Sequence, residues 1–132
     1  MKHRLTQTGK IVWISFWAVA ATLLMFVPMT LAALLSRTGN LAFTISTLWA
    51  RIMLTVTNVH PRIRNREKIK PGQSYIIISN HQSEYDILAL VTTLGIQFRW
   101  IIKKELLKFP LFGYALYAAR NIFIDRSNHE QA

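Results

Sequence analysis

At 132 residues the chain is about one domain long, yet 52% of it is hydrophobic while its formal net charge is +10. That pairing excludes a disordered basic tail, which needs few apolar residues. The roughly seventy residues left for a soluble part bury only about 60% of their unfolded surface, too little for a large self-sufficient enzyme. Without cysteine there are no disulfides, thiolate metal sites or cysteine nucleophile. The first sixty residues hold five Lys or Arg and no acid, so membrane contact is the first inference.

Residues Ile11 to Leu35 run for twenty-five positions without a charged side chain. As a helix they reach about 37 Å, against a hydrocarbon core of about 30 Å, so the segment spans with tilt or bends at Pro28. Trp13 and Trp17 stand near its start, where indoles favour the bilayer interface. A cleaved signal peptide is the competing reading, with Lys2, Arg4 and Lys10 as its positive region, but its apolar stretch is only about 7 to 15 residues. The flanking charges barely favour an inside amino terminus.

After Thr38-Gly39-Asn40, Leu41, Ile45, Leu48, Trp49, Ile52, Met53 and Val56 recur with helical spacing, opposite Thr44, Thr47, Arg51, Thr55 and Asn58. This predicts an amphipathic helix over 40–58, lying in a membrane surface or packing on the globular part. His60-Pro61 ends it. Arg62, Arg64, Arg66, Lys68 and Lys70 then surround a single Glu67. Two apolar helices beside this cluster favour anionic lipid over nucleic acid, since no basic helical stripe, zinc spacing or aromatic RNA-binding motif accompanies it.

From Pro71-Gly72 onward strands and helices alternate. Tyr75 to Ile78 reads as a strand buried on both faces, Glu84 to Leu94 as a helix capped by Gly95, and Phe98 to Ile102 as a second strand. Glu105 to Ala119 reads as a helix interrupted by Pro110 and Gly113, and Ile122 to Ile124 as a third strand. The order predicts an α/β layer with mostly parallel strands over 61–132, behind membrane-anchoring helices in 1–60.

The chemistry is concentrated in Asn80-His81-Gln82-Ser83-Glu84-Tyr85-Asp86. A histidine beyond the carboxyl end of a buried strand lies where open α/β sheets hold ligands, and Asp86, five residues on, can reach back to it. Such a pair fixes the imidazole tautomer and leaves the other nitrogen as a general base. The same stretch also fits a capping box, Ser83 as N-cap and Asp86 at N3, which would occupy the carboxylate with backbone donors. No metal is expected, because His3, His60 and His129 lack ligand spacing to His81.

This stretch resembles the Asn-His-x-x-x-x-Asp signature of the glycerolipid acyltransferase family, best known through the 1-acylglycerol-3-phosphate acyltransferases. Lys103-Lys104-Glu105-Leu106 with Pro110 and Gly113 is similar to its Lys-x-Glu-Leu and Pro-x-x-Gly segment, and Ile122-Phe123-Ile124-Asp125-Arg126 to its second motif. The resemblance implies an O-acyltransferase of glycerol-3-phosphate acyltransferase-like α/β fold that acylates the sn-2 hydroxyl of 1-acylglycerol-3-phosphate to phosphatidic acid; the alternatives are another lysophospholipid or glycerol-3-phosphate as acceptor, or a truncated non-catalytic membrane-binding protein. His81 would deprotonate the hydroxyl of a lysophospholipid, which attacks an acyl thioester directly. Asp86 would orient His81, while Arg126 and Lys104 would hold the acceptor phosphate. The implied partners are membrane lipid, lysophosphatidic acid and acyl-acyl carrier protein or acyl-coenzyme A. The thioester is a co-substrate, and no cofactor is expected. The implied place is a membrane, the inner or cytoplasmic one if bacterial, with the catalytic part facing the cytoplasm.

Two features depart from the family. Arg120 stands where the second motif usually opens with glycine, and the later Glu-Gly-x-x-Ser motif is absent. The chain is therefore read as an amino-terminal portion, with little turnover expected of residues 1 to 132 alone.

Overall fold

A computed structural model of the chain describes residues 2 to 125. Among them it is mostly helical. Four α-helices, α1 (Lys2–Leu35), α2 (Asn40–Val56), α3 (Glu84–Thr93) and α4 (Pro110–Ala118), accompany two short strands, β1 (Ile101–Lys103) and β2 (Ile122–Ile124).

α1 and α2 form a hairpin. The turn between them requires Gly39, whose φ of +74° is left-handed. A Cβ there would also meet Arg120 Cγ at 2.7 Å and the Ala119 carbonyl oxygen at 2.9 Å. At the hairpin's other end the Trp13 indole N–H donates to the Val56 carbonyl at 2.8 Å, satisfying an orphan acceptor of the last turn of α2. One line of α1, including Ala21, Met29 and Ala32, is buried, whereas Val12, Phe16, Val19, Leu23, Val27 and Leu31 on its opposite face are exposed.

α2 is helical over nearly the expected span, but its buried stripe is rotated. Ala42, Phe43, Ala50, Met53 and Leu54 are buried, while Leu41 and Leu48, expected inside, are about half exposed. The reason is that α2 lies between α1 and α3, so small residues go where two helices approach closely. One core cluster joins Ala21, Phe43, Ala50, Met53 and Leu54 to Leu88 and Val91 of α3, and a second joins Met29, Ala32 and Ala42 to Ala118 and Ala119.

The β-structure is smaller than expected. β1 and β2 pair in parallel, with Ile101 opposite Ile122 and Lys103 opposite Ile124, around a connection containing α4. Asn121 extends the ladder, its Oδ1 accepting from Trp100 N–H and its Nδ2 donating to the Leu116 carbonyl, both at 2.9 Å. Phe98 and Trp100 lie before β1 and stack edge-to-face on each other, Phe98 also on Phe43. Pro110 opens α4 instead of interrupting a longer helix, because a missing N–H has no consequence in a first turn. Lys104–Lys108 ahead of it is a separate 3₁₀ turn.

Tyr75 to Ile78 corrects the expected first strand. The segment has no ladder partner among the described residues, and Ile76 and Ile78 are 91% and 92% exposed. An apolar run becomes a strand only where neighbours take up its amides and cover its side chains. Here the Tyr75 hydroxyl accepts from Lys70 N–H at 2.8 Å and donates to Gln73 Oε1 at 2.9 Å.

Candidate active site

Ser83 begins α3 from an extended conformation, and its Oγ accepts from Tyr85 N–H at 3.2 Å. Asp86, one turn into the helix, reaches back. Its Oδ2 accepts from Gln82 N–H at 2.7 Å and Ser83 N–H at 2.9 Å, completing a capping box. The same oxygen lies 3.4 Å from His81 Nδ1. The capping and histidine-orienting readings of the sequence are therefore compatible, one carboxylate serving both.

The electrostatics follow. Backbone N–H donors from Ser83 and Gln82, and after them His81, hold the Asp86 carboxyl below the ordinary carboxylate value. An ionised Asp86 accepts from Nδ1–H, which leaves Nε2 of a neutral ring as a proton acceptor. The His81 and Asp86 side chains are 54% and 37% exposed, so the ring faces outward and is reachable. It lies beyond an extended exposed segment instead of at the end of a buried strand. The apolar surface depressions on α1, lined by residues such as Val19 and Leu23, do not include it.

Of the other expected site residues, one lies within the described part of the chain. Lys104 is an exposed residue opening the 3₁₀ turn after β1. Arg126 lies outside the described residues. Arg66 leaves the basic cluster for α3, its guanidinium packing against Gly95, whose φ is +71°. That puts a cation at the negative end of the helix whose amino terminus carries His81 and Asp86.

Sequence reasoning missed Arg99. Its Nη2 donates to the Thr38 carbonyl at 2.9 Å and to Asn40 Oδ1 at 2.7 Å, and Nη1 to the Phe98 carbonyl at 2.8 Å. The guanidinium also lies 5.7 Å from the Phe43 ring centroid. Partners sixty residues away leave no local signal.

Residues 60–132, more than half of the chain, match the family described as Acyltransferase. The chain belongs to that family. It is 36% identical over 78 residues to an uncharacterized acyltransferase of Schizosaccharomyces pombe, covering 59% of this chain and 28% of that one. It is 37% identical over 68 residues to 1-acyl-sn-glycerol-3-phosphate acyltransferase alpha of Homo sapiens and to that of Bos taurus, covering 52% of this chain and 24% of each. The match thus spans about a quarter of these relatives' length. No solved structure matches the chain.

Proposed function

We propose that this chain carries the base and orienting acid of a membrane-bound glycerolipid acyltransferase. The reaction is transfer of a fatty acyl group from an acyl thioester to the sn-2 hydroxyl of 1-acylglycerol-3-phosphate, giving phosphatidic acid. One observation carries this reading: the Asp86 oxygen that caps α3 also faces His81 Nδ1, 3.4 Å away on an exposed ring. The relatives named as 1-acyl-sn-glycerol-3-phosphate acyltransferases support the acceptor.

In this mechanism Nε2 of His81 takes the proton of the acceptor hydroxyl as its oxygen attacks the thioester carbonyl. The tetrahedral intermediate then expels the thiolate, which is reprotonated. Asp86 stabilises the imidazolium formed in the first step, and acyl–oxygen bond formation balances carbon–sulfur cleavage with no acyl-enzyme. Lys104 and Arg126 would meet the acceptor phosphate. Residues 61–132 belong in this reading to a glycerol-3-phosphate acyltransferase-like α/β domain, and 1–60 to its membrane anchor, with the catalytic part on the cytoplasmic side. Acyl-acyl carrier protein or acyl-coenzyme A supplies the thioester.

The test is transfer of labelled acyl groups from either thioester to lysophosphatidate by membranes containing the gene product, beside glycerol-3-phosphate as acceptor. Phosphatidic acid is the expected product, with His81→Ala lowering its formation by roughly 10²-fold or more, the scale of one general base. Unchanged turnover in that variant would remove His81 from its role. Preference for glycerol-3-phosphate would replace the acceptor.

A further inference from the structure

Exposure alternates along Tyr75 to Ile78. Ile76 and Ile78 are open, while Tyr75 and Ile77 are 41% and 38% exposed. A period of two is that of an extended chain with one face toward its own protein and the other turned outward. Among the described residues no backbone N–H or carbonyl from Tyr75 to Ser79 has a hydrogen-bond partner. Ser74 to Asn80 is also seven residues long without a charge, a proline or a glycine. The devices that usually blunt a free strand edge are therefore missing, and the composition is that of a self-pairing segment.

The segment is complementary to a second copy of itself. In an antiparallel pair centred on Ile77, Ile76 of each copy stands opposite Ile78 of the other, so all four open isoleucines share one face. The same pairing sets the basic end of the segment, with Lys68 and Lys70, beside the acidic first turn of the other copy's α3, with Glu84. A parallel in-register stack would instead set Lys68 on Lys68 and Lys70 on Lys70, like charges in a chain already at +10.

We propose that Tyr75 to Ile78 is a docking strand for a second copy of this chain, pairing antiparallel about Ile77 to give a two-fold dimer. Isologous pairing of this kind closes at two copies. A contact built on one short strand buries less than the roughly 1,200 Å² of a standard interface, so the dimer forms in the micromolar range. The inference goes beyond acyl transfer and uses neither turnover nor a membrane placement, so its failure leaves the proposed function as it stands.

The test is the mass of the whole chain in a mild detergent, measured by light scattering from about 1 to 100 µM protein. The dimer fraction should rise with concentration. The double variant Ile76→Lys/Ile78→Lys should stay monomeric with unchanged helical circular dichroism, because neither side chain packs on the fold. A dimer fraction equal to the parent's would place the contact elsewhere and overturn the proposal. The protein has no cysteine, so introduced thiols are unambiguous. With copper phenanthroline as oxidant, Ile77→Cys, at the two-fold, should give a disulfide-linked dimer, whereas Gln73→Cys, opposite His81 and far from its own copy, should not. Equal cross-linking of Gln73→Cys would show a parallel stack and overturn the register. A monomer throughout the range would also overturn the proposal. Protection of its Tyr75 to Ile78 amides from hydrogen exchange would then assign the face to a segment of the same chain.

Discussion

Three donors converge on Oδ2 of Asp86, and two are backbone amides of the loop that holds His81. Asp86→Asn keeps an acceptor oxygen but loses the charge that favours an imidazolium. Acyl transfer should fall by roughly 10²-fold or more with little change in KM for the thioester, because the charge is needed when the proton moves. A comparable loss in Ser83→Ala would instead assign the effect to the cap, whose own removal costs about 1 kcal/mol of stability. The pH dependence has a definite sign. A carboxyl whose folded value lies below its unfolded one stabilises the fold above the unfolded value, and loses that contribution as pH falls through the folded one. Exchange protection of the Gln82 and Ser83 amides should therefore persist through mild acid and disappear only below the ordinary carboxylate range. In Asp86→Asn the same measurement should show no such acid step.

At the scale of elements, the helices were more legible than the strands. α3 begins at Ser83 and ends before Gly95 because both boundaries are written locally, in a capping side chain and a left-handed glycine. The rotated stripe of α2 and the unpaired Tyr75 to Ile78 segment depend on which neighbours arrive, and periodicity does not encode that. Arg120 lies between these cases. The resemblance expects glycine there, and its φ of +57° shows why the turn from α4 to β2 would favour one. Arginine retains a contact with the Tyr117 ring, its guanidinium carbon 5.7 Å from the centroid. Arg120→Gly should be near neutral, the strain relieved offsetting the lost contact, whereas Arg120→Val should destabilise by more than about 1 kcal/mol, since a β-branched residue tolerates that region poorly. Thermal unfolding of the two variants in parallel checks the contrast, and equal effects would place the cost in the arginine side chain.

The site pair and the helix hairpin are parts of one packed body, and the whole-molecule question is what couples them. α3, which carries Asp86, is packed on α2 through Leu88 and Val91, each 8% exposed. Leu88→Ala should therefore cost about 2 to 3 kcal/mol, near the low end for buried leucine because the site is close to the surface. Arg99 supplies the second connection, tying the residues before β1 to the α1–α2 turn through Thr38 and Asn40. Partial desolvation weakens its hold on a proton, yet a guanidinium remains charged, so its bonds persist at any pH at which the protein folds. The group is partly solvated, so Arg99→Ala should destabilise by about 1 to 2 kcal/mol, less than a fully buried charged pair would. Lysine retains the charge but cannot span two acceptors and lie against Phe43 as a planar fork does, so Arg99→Lys should recover less than half of that loss. The decisive readout is local: hydrogen exchange should accelerate in residues 36 to 42 in both variants while α3 amides stay protected. Uniform acceleration across the chain would mean that Arg99 stabilises the fold generally and does not fasten the turn.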